Sequence, residues 1–159
     1  MFKKIFTRRK QLDRNNVFEQ LKIDEGVVNE IYLDHLGYPT FGVGHLVLES
    51  DPEYGQEVGT PVTEERTKEC FEKDLDTAIS ECVALYGEGF NSWPGEVQEI
   101  VVNMMFNMGR TRLSGFKNFR KGLEENNWKE AAKEGRDSKW YRQVTNRAER
   151  LMSRLEQVS

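Results

Sequence analysis

Cysteine, histidine and proline are scarce in this chain, and each shortage closes a line of inquiry. The 159 residues include two cysteines, two histidines and four prolines. Cys70 and Cys82 are twelve residues apart in a stretch that reads as one helix. At about 1.5 Å of rise per residue they would lie ~18 Å apart, whereas a disulfide needs Cα atoms within about 7 Å. Two free thiols are therefore expected, as in a protein made in a reducing compartment. His35 and His45 have no Cys or His at ligand spacing, so the sequence calls for no metal site and no cofactor. "GVGH" contains a G-x-G but lacks the third glycine and following helix of a dinucleotide site, and no G-x-S-x-G elbow occurs.

Long apolar runs are also missing. None approaches the roughly 20 residues of a membrane span. The opening "MFKKIFTRRKQLDR" is basic, but no apolar segment or small-residue cleavage site follows it, so it does not read as a signal peptide. Synthesis in the cytoplasm and no stable membrane insertion are the corresponding expectations. Basic side chains are scarce through the middle of the chain. Residues 1–14 carry six Lys/Arg and one Asp, residues 15–109 four Lys/Arg and nineteen acids, and residues 110–159 thirteen Lys/Arg and seven acids. The net charge of −4 thus conceals segments of +5, −15 and +6. A basic C-terminal part implies an anionic partner, of which nucleic acid is only one kind.

What is present is enough for a packed core. Apolar residues make up 37% of the chain, with three Trp and nine Phe, which argues against intrinsic disorder. Residues 1–14 read as a basic extension. Asn16 can cap a helix with Val17, Phe18 and Leu21 on one face, stopped by Gly26. Residues 30–48 alternate strand and turn types and predict a small antiparallel sheet, with a loop over 51–61. A long proline-free helix opens at Thr63, with Glu64 and Glu65 in its first turn, and runs to Gly87. A buried helix begins near Pro94, and shorter ones follow around 116–124, 127–134 and 146–157. The fold class is α+β, mostly helical, organised as 15–62, a connecting helix 63–86, and 87–159.

The chemistry concentrates in "KIDEGVVNEIYLDHLGYPTFGVGH", residues 22–45. Phe18, Leu21 and Glu25 follow helical spacing, which sets Glu25 beside the apolar stripe, where partial desolvation favours a protonated carboxyl. Asp34 falls where a strand meets a turn, an environment that keeps a carboxylate hydrated and ionised. One shielded acid and one ionised base, close together, is what glycoside hydrolysis requires. Either carboxyl could equally be an ordinary helix-end or turn residue.

Five blocks decide between these readings. "FEQLKIDEG", "IYLDHLGYPTFGVGHL", "CFEKDLDTAI", "VVNMMFNMG" and "SKWYRQVTNRAERL" resemble, in order and at compatible spacing, the phage-type lysozymes of glycoside hydrolase family 24, the T-even phage group. The resemblance covers roughly residues 16–155. It implies a fold of two lobes, one holding the small sheet and one helical, joined by the long helix. It further implies cleavage of the β-1,4 bond between N-acetylmuramic acid and N-acetylglucosamine with inversion, by a monomer acting at the bacterial wall in phage lysis or wall penetration. Residue by residue, it places Glu25 at the general acid, Asp34 at the general base and Thr40 at the hydroxyl that helps hold the attacking water. Arg147 matches an arginine that reaches the catalytic glutamate. His45 and Asp74 match a buried ion pair between sheet and long helix, and Leu46 and Phe106 match cleft-lining positions. Asn107, Phe119 and Glu134 depart from the family pattern. A catalytically silent wall-binding module and a nucleic-acid binder built on Trp140, Tyr141 and nearby arginines are the alternatives. The intact Glu25, Asp34 and Thr40 argue against the first, and the acidic middle argues against the second.

Overall fold

The computed structural model describes residues 11–159; the basic extension read over residues 1–14 lies outside the described residues up to position 10. Helix α1 spans Arg14–Glu25. It starts two residues ahead of the Asn16 cap expected from sequence. Asp13, a favourable capping type, precedes it, and the Asp13 amide is itself engaged, donating to Glu99 Oε2 at 2.8 Å. Gly26 closes the helix at φ +81°, and its amide donates to the Lys22 carbonyl.

Three antiparallel strands follow in the order β1 (Val28–Leu33), β2 (Pro39–Gly42), β3 (His45–Leu46). Tyr32 faces Thr40 and Leu33 faces Pro39 across β1–β2, while Thr40 faces Leu46 across β2–β3. A bulge interrupts β1 between Val28 and Tyr32. The backbone freed there is not wasted: Ile31 and Asn29 exchange hydrogen bonds with Gly59, Thr60 and Val62. That pairing ties the end of the 51–61 loop to the sheet edge, as the demand for partners on buried backbone requires.

Helix α2 spans Glu64–Tyr86. Thr63 caps it, its hydroxyl accepting from the Arg66 amide at 3.0 Å, and acids in the first turn complement the helix dipole. Both cysteines lie on it as free, buried thiols, as the sequence spacing predicts. Burial pushes Cys70 up to about 11 and Cys82 up to about 12.

A short 3₁₀ turn, Glu88–Ser92, leads through Pro94 to α3, Gly95–Ser114. Its stretch from Val97 to Met105 is almost wholly buried. Gly109, at φ +80° and ψ 165°, breaks the helical geometry inside α3 just where the continuous apolar run of the sequence stops. Helices α4 (Lys117–Glu124), α5 (Trp128–Arg136) and α7 (Thr145–Glu156) match the three short helices expected. The sequence reading omits α6, Lys139–Gln143. Its five residues are too few to show a period, and only the Ser138 cap, accepting from the Tyr141 amide, marks it.

The chain forms two compact units. One is Asn15–Thr77, with α1, the sheet and the first half of α2. Its core joins Ile31, Phe41, Val62 and Cys70, with Val47 against them, and Phe18 packs on Phe71 at 4.7 Å. The other comprises Ala78–Ser159, with residues 11–14 associated. It is built on Ile100, Val101 and Met104 of α3 and on Trp140, Leu151 and Met152 from later helices.

Candidate active site

The residues expected to carry catalysis fall in one unit. Glu25 is the last residue of α1, half-buried. Its carboxyl rests against the Val43–Gly44 turn that joins β2 to β3. A Cβ placed on Gly44 would come within 3.4 Å of Glu25 Oε1, and Gly44 sits at φ +66°. The backbone conformation favours glycine there, and it lets the carboxyl lie in ordinary contact with the turn.

Asp34 follows β1 directly and folds the next turn around itself. Its Oδ1 accepts from the Leu36 and Tyr38 amides, both at 2.9 Å, and its backbone carbonyl accepts from Gly37. The Tyr38 amide above all, helped by the Leu36 amide, holds the Asp34 carboxyl below its ordinary range against the opposing effect of burial. Asp34 is therefore an ionised carboxylate positioned by backbone. Thr40, 4% exposed, donates its hydroxyl to the Tyr38 carbonyl at 2.9 Å. With its proton committed, Thr40 can only accept from a further partner.

Tyr32 belongs with these residues, and the sequence reading passed over it. Burial first, then the negative charge of Glu25 and of Asp34, raise the pKa of its phenol. It lies opposite Thr40 on β2 and within electrostatic reach of both carboxyls. The available signal was its position two residues before Asp34, which on a strand puts both side chains on one face.

His45 on β3 is 6% exposed and held on both ring nitrogens. Nδ1 lies 2.7 Å from Asp74 Oδ2 on α2, and Nε2 lies 2.8 Å from Asp51 Oδ2. Burial works against the charged imidazole, but the bonds to Asp74 and then Asp51 outweigh it and raise the pKa. Of the expected pair, His45 is buried, whereas the Asp74 side chain keeps 30% of its exposure. Asp51 is the partner that sequence spacing could not supply. It also accepts from the Leu48 amide at 2.8 Å and from Arg66, which in turn binds Glu53 through Nε and Nη2, each at 2.9 Å. The spacing of His and Cys in the sequence predicts no metal centre, yet the fold brings Cys70 to His45 and Asp51.

Leu46 is exposed on β3, opposite Thr40. Phe106 and Arg147 belong to the other unit. There Arg147, on α7, donates through Nε to Asn103 Oδ1 at 2.9 Å and through Nη2 to the Asn103 carbonyl. Two of the three departures from the family pattern have structural roles. Asn107 accepts the Trp140 indole N–H at 2.7 Å. Phe119 is 1% exposed and meets Phe116 edge-on. Glu134 lines a cavity of about 260 Å³ with Phe116 and Phe119.

A mostly helical α+β chain with a glutamate, an ionised aspartate and an acceptor hydroxyl around one small sheet has the equipment of a glycoside hydrolase of the lysozyme class. The family model described as phage lysozyme matches residues 22–157. The chain belongs to the phage lysozyme family. It is 31% identical over 160 residues to "Probable T4-type lysozyme 1" of Dictyostelium discoideum, covering 89% of this chain and 94% of that protein. It is 30% identical to the "Pre-baseplate central spike protein Gp5" of Enterobacteria phage T4, over 84% of this chain but 26% of that one. It is 33% identical to the "Peptidoglycan hydrolase gp36" of Pseudomonas phage phiKMV, over 82% of this chain and 14% of the relative. The chain thus spans nearly all of one relative and a minor part of the two phage proteins.

Proposed function

We propose that the chain is a muramidase that cleaves peptidoglycan at the β-1,4 bond between N-acetylmuramic acid and N-acetylglucosamine, with inversion. The observation that carries this reading is the Asp34 turn. A carboxylate kept ionised by the Leu36 and Tyr38 amides and a threonine hydroxyl that can only accept are both tied to Tyr38, one at its amide and the other at its carbonyl. Those are the two acceptors a water molecule needs to be deprotonated and aimed. Oδ1 of Asp34 is engaged by the turn, so Oδ2 would take the proton.

The reaction balances with these groups alone. The Glu25 carboxyl gives its proton to the glycosidic oxygen as the C1–O bond breaks. The water oxygen bonds C1 from the opposite face, and its proton passes to Asp34. Such a course needs carboxyls roughly 6.5–9.5 Å apart, with room for one water. Leu46 and Phe106 are the cleft positions and Arg147 the supporting cation that the family likeness assigns. The wall of a bacterium is then the place of action, as a free lytic enzyme or as part of a larger particle.

Digestion of purified peptidoglycan by wild type, Glu25→Gln and Asp34→Asn tests the reading. Both variants should lose far more than tenfold in rate, a barrier change well above about 1.4 kcal/mol, while keeping native melting curves. Fresh product should carry the α configuration by NMR. Wall binding without hydrolysis by the wild-type chain would favour a silent binding module, and retained β product would remove Asp34 from the role of base.

A further inference from the structure

We propose that His45, Asp51 and Cys70 form a zinc-class metal site that staples β3 and the following loop to α2. This inference is independent of the hydrolase reading. One ligand atom from each of the three residues lies within 4.8 Å of the others, and His45 and Cys70 are buried. Imidazole nitrogen, carboxylate oxygen and thiol sulfur together make a donor set suited to Zn²⁺, while Mg²⁺ and Ca²⁺ prefer oxygen alone.

The surroundings resemble those that prepare a metal site. His45 turns Nδ1 to Asp74 Oδ2 at 2.7 Å, the carboxylate–histidine arrangement that fixes a ligating tautomer and directs Nε2 to the metal. Nε2 lies 2.8 Å from Asp51 Oδ2, so without metal an imidazolium can donate to both carboxylates, and a neutral imidazole donating from Nδ1 would instead offer its Nε2 lone pair beside Oδ2. A metal ion can take the place of that second proton. A proton has no use for a third ligand, whereas a tetrahedral ion does, and Cys70 Sγ supplies it. Asp51 is held in place by the Leu48 amide on Oδ2 and by Arg66 on Oδ1.

Arg66, Cys70 and Asp74 recur every four residues on α2 and so share one helix face. Thiolate and Asp51 carboxylate neutralise a divalent ion, leaving His45 neutral and Arg66 paired with Glu53. Tetrahedral zinc needs donors about 3.3–3.8 Å apart. Metal entry would part Nε2 and Oδ2 slightly and draw the widest pair in by about 1 Å.

The full chain, stripped by chelator and reduced, should be titrated with Co²⁺ as a spectroscopic stand-in. A thiolate-to-cobalt charge-transfer band saturating at one equivalent is expected, displaced by Zn²⁺, absent in Cys70→Ala and unchanged in Cys82→Ala. Zinc should raise the melting temperature of wild type and Cys82→Ala and leave Cys70→Ala unmoved. Should Cys70→Ala not fold, cadmium NMR on the wild-type chain decides between one sulfur and none, and Asp51→Asn should weaken binding at least tenfold. No thiolate band, no sulfur-bound cadmium, or a band that persists without Cys70 overturns the proposal.

Discussion

Thr40 can give its one hydroxyl proton to a single acceptor, and that acceptor is the Tyr38 carbonyl. Any catalytic use of the group must therefore run through its lone pairs. Thr40→Val keeps the shape and removes those lone pairs, and the Tyr38 carbonyl still accepts from the Asp34 amide at 2.9 Å. Wall hydrolysis should fall by at least about tenfold with a stability change of roughly 1 kcal/mol or less, read from initial rates and denaturant titration. Gly44→Ala should do the opposite to the balance of effects. It would force a Cβ at φ +66° in the turn against which Glu25 rests, lowering both rate and melting temperature at a cost of about 1 kcal/mol or more. At this scale the sequence was informative where the partners are close along the chain. Glu25, Asp34 and Thr40 share one short stretch, and their residue types state their chemistry. Asp51 and Gly44 were not legible as partners, because their approach to His45 and Glu25 depends on how a loop and a two-residue turn close.

Among the elements, the three C-terminal helices are joined through one glutamate, Glu149, and the arginine it binds. Arg136, ending α5, reaches Glu149 of α7 through Nε at 2.9 Å and Nη2 at 3.0 Å, and Glu156 through Nη1 at 2.7 Å. Tyr141 of α6 donates its hydroxyl to Glu149 at 2.8 Å, and Ser153 does so at 2.6 Å. Arg136 first, then Ser153 and Tyr141, lower the Glu149 pKa from 4.5 to about 2. A folded pKa below the unfolded one stabilises above the unfolded value and ceases to do so as pH falls through the folded value. Wild type should therefore melt above Glu149→Gln at neutral pH, and the gap should shrink between about pH 5 and pH 2, followed by circular dichroism. The helices themselves were readable from caps and period. The ion network was not, since arginine and glutamate thirteen residues apart, on separate helices, leave no local pattern. Helix α6 was missed for the same want of length that makes it depend on Tyr141 and the buried Trp140 for its place.

The molecule as a whole divides its charge unevenly. Asn15–Thr77 holds four Lys/Arg and fifteen acids, a net −11, and the rest of the chain carries +7. All the large apolar side chains that remain exposed among the described residues, from Ile23 to Val58, also belong to the acidic unit. Five of the positive charges lie in residues 1–10. Removing Met1–Lys10 leaves the Asp13–Glu99 bond in place, so it should spare hydrolysis of soluble muropeptide oligomers. Activity on intact, anionic walls should drop at low salt and recover relative to wild type as the Debye length shortens to about 8 Å. Equal loss on both substrates would assign those residues to the catalytic body instead. The same partition has a colloidal consequence. Each copy carries a net −4, so two copies should repel, yet the acidic unit of one can attract the positively charged remainder of the other chain. In dilute buffer the second virial coefficient should be lower than the net charge alone dictates, and modest salt should dissolve the protein rather than precipitate it.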